Sequence, residues 1–146
     1  MDRRGIITTE LIFASIIILV IVSSIISVAS ERIDAASSTD MHGNARMTAE
    51  YVAGAINKVY NGGDSHAVTL SLPSNISDKS YNIRVNSSGV FVLIDGKMGK
   101  SFINPKRISS SDKLIENAVS MRGNQSYIIK NVKGPDGNSW IVISTI

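Results

Sequence analysis

One apolar run near the front of the chain constrains everything behind it. Apart from Glu10, residues 6–29 carry neither charge nor proline. At about 1.5 Å per residue a helix over those positions reaches about 36 Å, enough to cross a hydrocarbon core of ~30 Å. Two arginines, Arg3 and Arg4, stand just before it, and one carboxylate, Glu10, stands inside it. A charged residue in a membrane-length helix costs roughly 2.5–3.5 kcal/mol at the bilayer centre and less near the end, so chains that keep one give it a partner. No Lys or Arg lies on the helix near Glu10. A cut after Gly5 supplies one: Ile6 becomes the N-terminus, and its ammonium lies about one helical turn from the Glu10 carboxylate. The pair can close within one helix. It can equally join Glu10 of one subunit to Ile6 of the next, which sets a head-to-tail stacking rule.

A short basic leader, a glycine at the cut, a glutamate as fifth residue of the mature chain and a long apolar helix behind it resemble a type IV prepilin. The details are most similar to the archaeal form, the class III signal peptide. Thr8 stands where that family usually has serine, and Leu11-Ile12-Phe13 continues the apolar run. Ile6 stands where glutamine is common, and Phe13 where leucine is favoured. None of the three prolines precedes residue 73, unlike bacterial type IV pilins, which usually carry one within the helix. Archaellins share the leader but typically lack the glutamate.

The resemblance covers about the first 30 residues and implies a set of roles. A prepilin peptidase recognises Arg3 and Arg4 and cuts between Gly5 and Ile6. Ile6, Thr8, Glu10, Leu11 and Phe13 belong to the assembly region. The implied product is the structural subunit of a helical homopolymer outside the cell, built by an assembly ATPase and a membrane platform from a lipid-held precursor, with no cofactor. Minor pilin, pseudopilin and tip adhesin are the alternatives within the class. A monomeric anchored surface domain that binds a ligand is the alternative outside it. A conventionally cleaved secretory signal is a further reading: Ser27-Val28-Ala29 has the small-x-small form of a cut site, although such signals have apolar regions of only ~7–15 residues.

The domain plan follows from the remaining composition. Residues 1–5 are the leader, 6–29 the membrane or filament-core helix, 30–62 an amphipathic extension, and 63–146 a single sheet domain. Positive flanks stay cytoplasmic, so Arg3 and Arg4 predict that the C-terminal part faces outward. The formal charge is +3, and losing the leader lowers it to +2. No basic block suits nucleic acid. Cysteine is absent, which rules out disulfides and thiolate metal sites.

From residue 30 to 60 the chain has no proline and many helix formers. Met41, Ala45, Thr48, Val52, Ala55, Ile56 and Val59 form a stripe at helical spacing that predicts burial of one face. Asn61-Gly62-Gly63 predicts the stop. The whole predicts one rod of about 55 residues, with a polar weak point at residues 37–44 where Gly43 invites a bend. Beyond it the period switches to two. Val68/Leu70/Leu72, Tyr81/Ile83/Val85, residues 98–103, Tyr127-Ile128-Ile129 and residues 140–143 read as strands. Ser87-Ser88-Gly89, Asp95-Gly96 and Pro135-Asp136-Gly137 read as turns. Residues 90–94, all apolar, predict a central strand buried on both faces. Residues 112–121 fit a short helix or an extended segment. The expected fold class is α+β: a long N-terminal helix packed against one antiparallel sheet, with Leu70/Leu72, Ile83/Val85, Phe91/Leu93 and Ile141/Ile143 in the core.

Three glycosylation sequons begin at Asn75, Asn86 and Asn124, each at a predicted turn or strand edge. N-glycosylation is common in archaeal pilins, so the resemblance adds weight to them. Chemistry-bearing clusters are sparse. His42 and His66 lack ligand-spaced partners. Asp64-Ser65-His66 holds triad residue types but reads as a polar loop, since adjacency in sequence does not give triad geometry. Gly62-Gly63 belongs to no phosphate-cradling pattern. Asp112 and Glu116, if helical, share a solvated face. Tyr51, Tyr60, Tyr81, Tyr127 and Trp140 are too scattered for a stacking platform. No enzyme is expected.

Overall fold

The computed structural model describes residues 3–146, with side chains from Thr8 onward. A helix, α1 (Arg3–Asn61), is followed by eight strands: β1 (Ala67–Ser71), β2 (Tyr81–Asn86), β3 (Gly89–Ile94), β4 (Lys97–Ser101), β5 (Ile108–Ser109), β6 (Val119–Arg122), β7 (Ser126–Lys133) and β8 (Ser139–Thr145). The class is α+β, as the change of hydrophobic period predicts. The chain divides into two compact units at Ser38/Thr39, inside the polar patch of residues 37–44. The backbone stays helical through that patch, Gly43 included.

In the second unit, Thr39–Ile146, Ala45, Ala49, Val52, Ala53, Ile56 and Val59 of α1 are buried. Thr48 and Ala55, placed on the predicted stripe, lie at its half-buried margins, and Ala49 and Ala53 take the centre. Small residues belong there because backbone comes close. A Cβ added at Gly99 of β4 would stand 2.2 Å from the Ala45 carbonyl carbon, so only glycine admits this strand against the helix. The helix ends as Asn61-Gly62-Gly63 predicts: the Gly62 N–H donates to the Lys58 carbonyl at 3.0 Å, and Gly63 turns the chain at φ +83°.

The strands form two sheets, not the single one expected: β1-β7-β8-β5 and β4-β3-β2-β6. All pairs are antiparallel except β5 with β8, which is parallel. Both sheets and the helix stripe share one contiguous buried cluster. The unpredicted elements are short. Strand β5 is only Ile108-Ser109, reached by a crossover in which Ile103 is buried and the Asn104 N–H donates to Asn57 Oδ1 at 2.8 Å. Residues 112–121 are not helical: a turn and an irregular stretch lead into β6.

The apolar run at 90–94 is buried on one face only. Val90, Val92 and Ile94 enter the core opposite Val85, Ile83 and Tyr81, while Phe91 is half-buried and Leu93 is 48% exposed. Phe91 and Leu93 are therefore not core residues: the pleat sends alternate side chains to opposite faces, whatever their polarity. The strand covered on both faces is β8. Ile141 and Ile143 lie in the shared cluster, and Trp140 and Val142, on the other face, are buried too. Leu70, Leu72, Ile83 and Val85 are buried as expected.

Candidate functional site

The candidate site is the apolar stretch of α1, taken within its own unit. Every side chain from residue 8 to 37 is exposed. The large apolar ones between Leu11 and Ile33 are 45–68% exposed, so among the described residues no side of this stretch is covered within its own unit. A helix apolar all round belongs in lipid or in the middle of an assembly. It is long and apolar enough to cross a membrane, which is what its composition predicts.

Local geometry suits an apolar surround. The Ser15 Oγ donates to the Leu11 carbonyl and the Ser24 Oγ to the Val20 carbonyl, both at 2.8 Å. Each hydroxyl is thus satisfied inside its own helix, four residues back, and needs neither water nor a neighbour. Ile16, Leu19, Val20, Ser23 and Ser24 line a shallow groove where the small serines let another backbone approach.

Glu10, Leu11 and Phe13 all lie on this exposed helix. Glu10 has no Lys, Arg or His partner among the described residues, where the ion pairs are Arg46–Glu50, Lys79–Asp95 and Arg107–Asp136. Thr8 stands at the lower limit of the described side chains. The expected processing residues Arg3, Arg4, Gly5 and Ile6 have helical backbone, which sets position 6 one turn before Glu10, but their side-chain surroundings lie outside the described residues. The rest of the predicted leader, Met1 and Asp2, lies outside them altogether.

The sequons fall at turns or a strand end. Asn75 is exposed beside a tight turn closed by Ile76 and Lys79, where the Asn44 Nδ2 donates to the Ser77 Oγ at 2.8 Å. Asn124 sits at φ +59° between β6 and β7, its N–H donating to the Pro73 carbonyl, so these two sequons occupy one end of the unit. Asn86 is half-buried. Its Oδ1 accepts the Ser88 N–H at 2.9 Å and holds the β2–β3 turn.

The loop Asp64-Ser65-His66 is structural. Asp64 Oδ1 accepts the Lys133 N–H at 3.1 Å, and the His66 carbonyl accepts the Asn131 N–H at 2.9 Å. Asp112 and Glu116 lie on an irregular loop, not on a helix face. No three His, Asp or Glu side chains converge among the described residues. No protein-family model, curated protein or solved structure matches this chain.

Sequence reasoning missed two features. Asn131, fully buried on β7, donates from Nδ2 to the Val59 and Tyr60 carbonyls and ties the helix end to the sheet. Lone polar residues in strand patterns give little warning of such a role. The outer face of β4-β3-β2-β6 carries Phe91, Leu93 and Met98 beside Arg84 and Arg122. Its one sign in the sequence is the unbroken apolar run at residues 90–94, which reads as a strand buried on both faces.

Proposed function

We propose that the chain is a structural subunit of an archaeal type IV pilus-like surface filament, matured by a prepilin peptidase and assembled through its N-terminal helix. The observation that carries this reading is a helix apolar on every side, with one acid a turn above a glycine-preceded isoleucine, running on into a folded unit with its own core. The precursor waits in the bilayer with residues 6–29 in lipid and its sheet unit outside. Cleavage after Gly5 frees the Ile6 ammonium, which pairs with Glu10 of its own helix or the next. Assembly moves the helix from lipid into a bundle. Lipid and a Leu/Ile-rich bundle are similarly apolar, so close packing at Ala14, Ser15, Ser23, Ser24 and Ser27 decides the exchange. In water the same helices cannot separate without exposing large apolar area, at roughly 25 cal/mol per Å².

The test is to purify surface filaments and measure the intact mass of their main subunit. The reading expects this chain, starting at Ile6, as the dominant component. A trace amount in filaments built from another subunit assigns it instead as a minor pilin or tip adhesin. A membrane-bound chain retaining its leader and never found in filaments leaves the anchored monomer.

A further inference from the structure

The sheet unit carries a hollow and a knob that suit each other. The outward side chains of β6, β2, β3 and β4 form two rows by strand register: Ser120, Arg84, Phe91 and Lys100, then Arg122, Asn82, Leu93 and Met98. They frame a hollow of about 390 Å³ with an apolar floor and guanidiniums along one side. None of the residues lining it is acidic, and among the described residues Arg84 and Arg122 have no carboxylate partner. Lys100, which does not line the hollow, places its ammonium over the rings of Phe91 and Phe102, at 5.1 and 4.7 Å. Leu93 is 48% and Met98 58% exposed, a contiguous patch of the kind that marks an interaction surface.

The knob is the loop that leads into β6. Ile115 stands 61% exposed on it, with exposed Asp112 before it and exposed Glu116 after it in sequence and Lys113 the one cation among them. The base of the loop is pinned. The Asn117 N–H donates to the Ile108 carbonyl at 3.1 Å, the Asn117 Nδ2 to the Ser110 Oγ at 2.8 Å, and the Ser110 N–H to Asn117 Oδ1 at 3.0 Å. Leu114 holds φ +53°, rare for a bulky side chain, just before Ile115. An apolar side chain between carboxylates is thus presented by a loop fixed at both ends.

We propose that the hollow receives the Ile115 knob of a second copy of this chain, with Asp112 and Glu116 against Arg84 and Arg122. Knob and hollow are made of different residues, so the contact is head-to-tail, and it propagates as an open helix wherever the rotation between copies does not close a ring. It gives the sheet units a lateral rule of their own beside the helix bundle. In that respect it rests on the filament reading, and the test separates the two.

The chain has no cysteine, so a pair introduced into the full chain reads cleanly. Leu93→Cys with Ile115→Cys, expressed in cells and oxidised, should give a ladder of disulfide-linked multimers that neither single variant gives. Arg84→Glu with Arg122→Glu on that background should abolish the ladder, and adding Asp112→Lys with Glu116→Lys should restore it. A photo-crosslinking residue at position 93 should label residues 111–117 of another copy. Labelling of lipid, of a different protein or of the helix of a neighbour overturns the contact. Filaments seen by electron microscopy with no ladder overturn it while leaving the filament reading intact. A ladder without filaments upholds the contact and removes the filament reading.

Discussion

Glu10 is where a single atom group decides the outcome. Its carboxylate has no cation among the described residues, and under the proposed cut after Gly5 the Ile6 ammonium supplies one. A hydrogen-bonded charge pair contributes about 1.5–3 kcal/mol, so Glu10→Ala should leave the chain processed yet cut filament yield roughly tenfold or more. Filament counts beside N-terminal sequencing check both halves. Gly5→Val should block processing, which the same sequencing reads. At Gly99 the physics is steric: a Cβ would collide with Ala45 backbone, so Gly99→Ala should destabilise the sheet unit by at least ~1–3 kcal/mol in chemical denaturation. Asp136 is an electrostatic case. The Asn138 side-chain amide, the Asn138 backbone N–H and Arg107 together hold its carboxyl at about 2, below its usual 3.8. A lowered carboxyl pKa stabilises the fold above the ordinary value, and that contribution fades as pH falls from near 4 toward 2. Asp136→Asn should therefore flatten the pH dependence of melting in that window, with no change near neutrality in its slope.

Among the elements, α1 uses two kinds of surface in succession. Its first part is apolar all round, with Ser15 and Ser24 bonded back to their own helix. Its last part is striped, with Val52, Ile56 and Val59 fully buried against strands. Ile56→Ala should cost about 2–5 kcal/mol of the sheet unit's stability, whereas the same change at exposed Ile16 should not move it; thermal melting of the detergent-held chain distinguishes them. This succession was legible in the residues, because a helix period with and without polar interruptions differs visibly. So were the β2–β3 hairpin, where Gly89 takes φ +140°, and the β3–β4 hairpin, where Asp95 and Gly96 take the positive φ angles of 45° and 76° that their turn demands. Residues 90–94 misled because apolar content does not say which face is covered; that depends on what lies over the sheet, and Leu93 stays 48% exposed. Strand β5, two residues long and parallel to β8, has too little length to show a period at all. At the candidate site, Glu10 and its apolar setting could be read directly, while the knob at Ile115 and the hollow at Leu93 needed strand register to bring Arg84, Arg122, Phe91 and Met98 onto one face.

Taken whole, the chain pairs a helix that cannot stay bare in water with a folded unit that can. The helix is long and apolar enough to cross a membrane, and on the proposed reading a bundle of copies shields it outside the bilayer. The central claim is that cleavage and polymerisation are coupled through the new N-terminus. The most direct measurement is the intact mass of the chain recovered from purified filaments, compared with that of the chain left in the membrane. We predict a filament species that begins at Ile6 and lacks residues 1–5. Filament subunits still carrying the leader, or filaments that never contain this chain, would contradict the account.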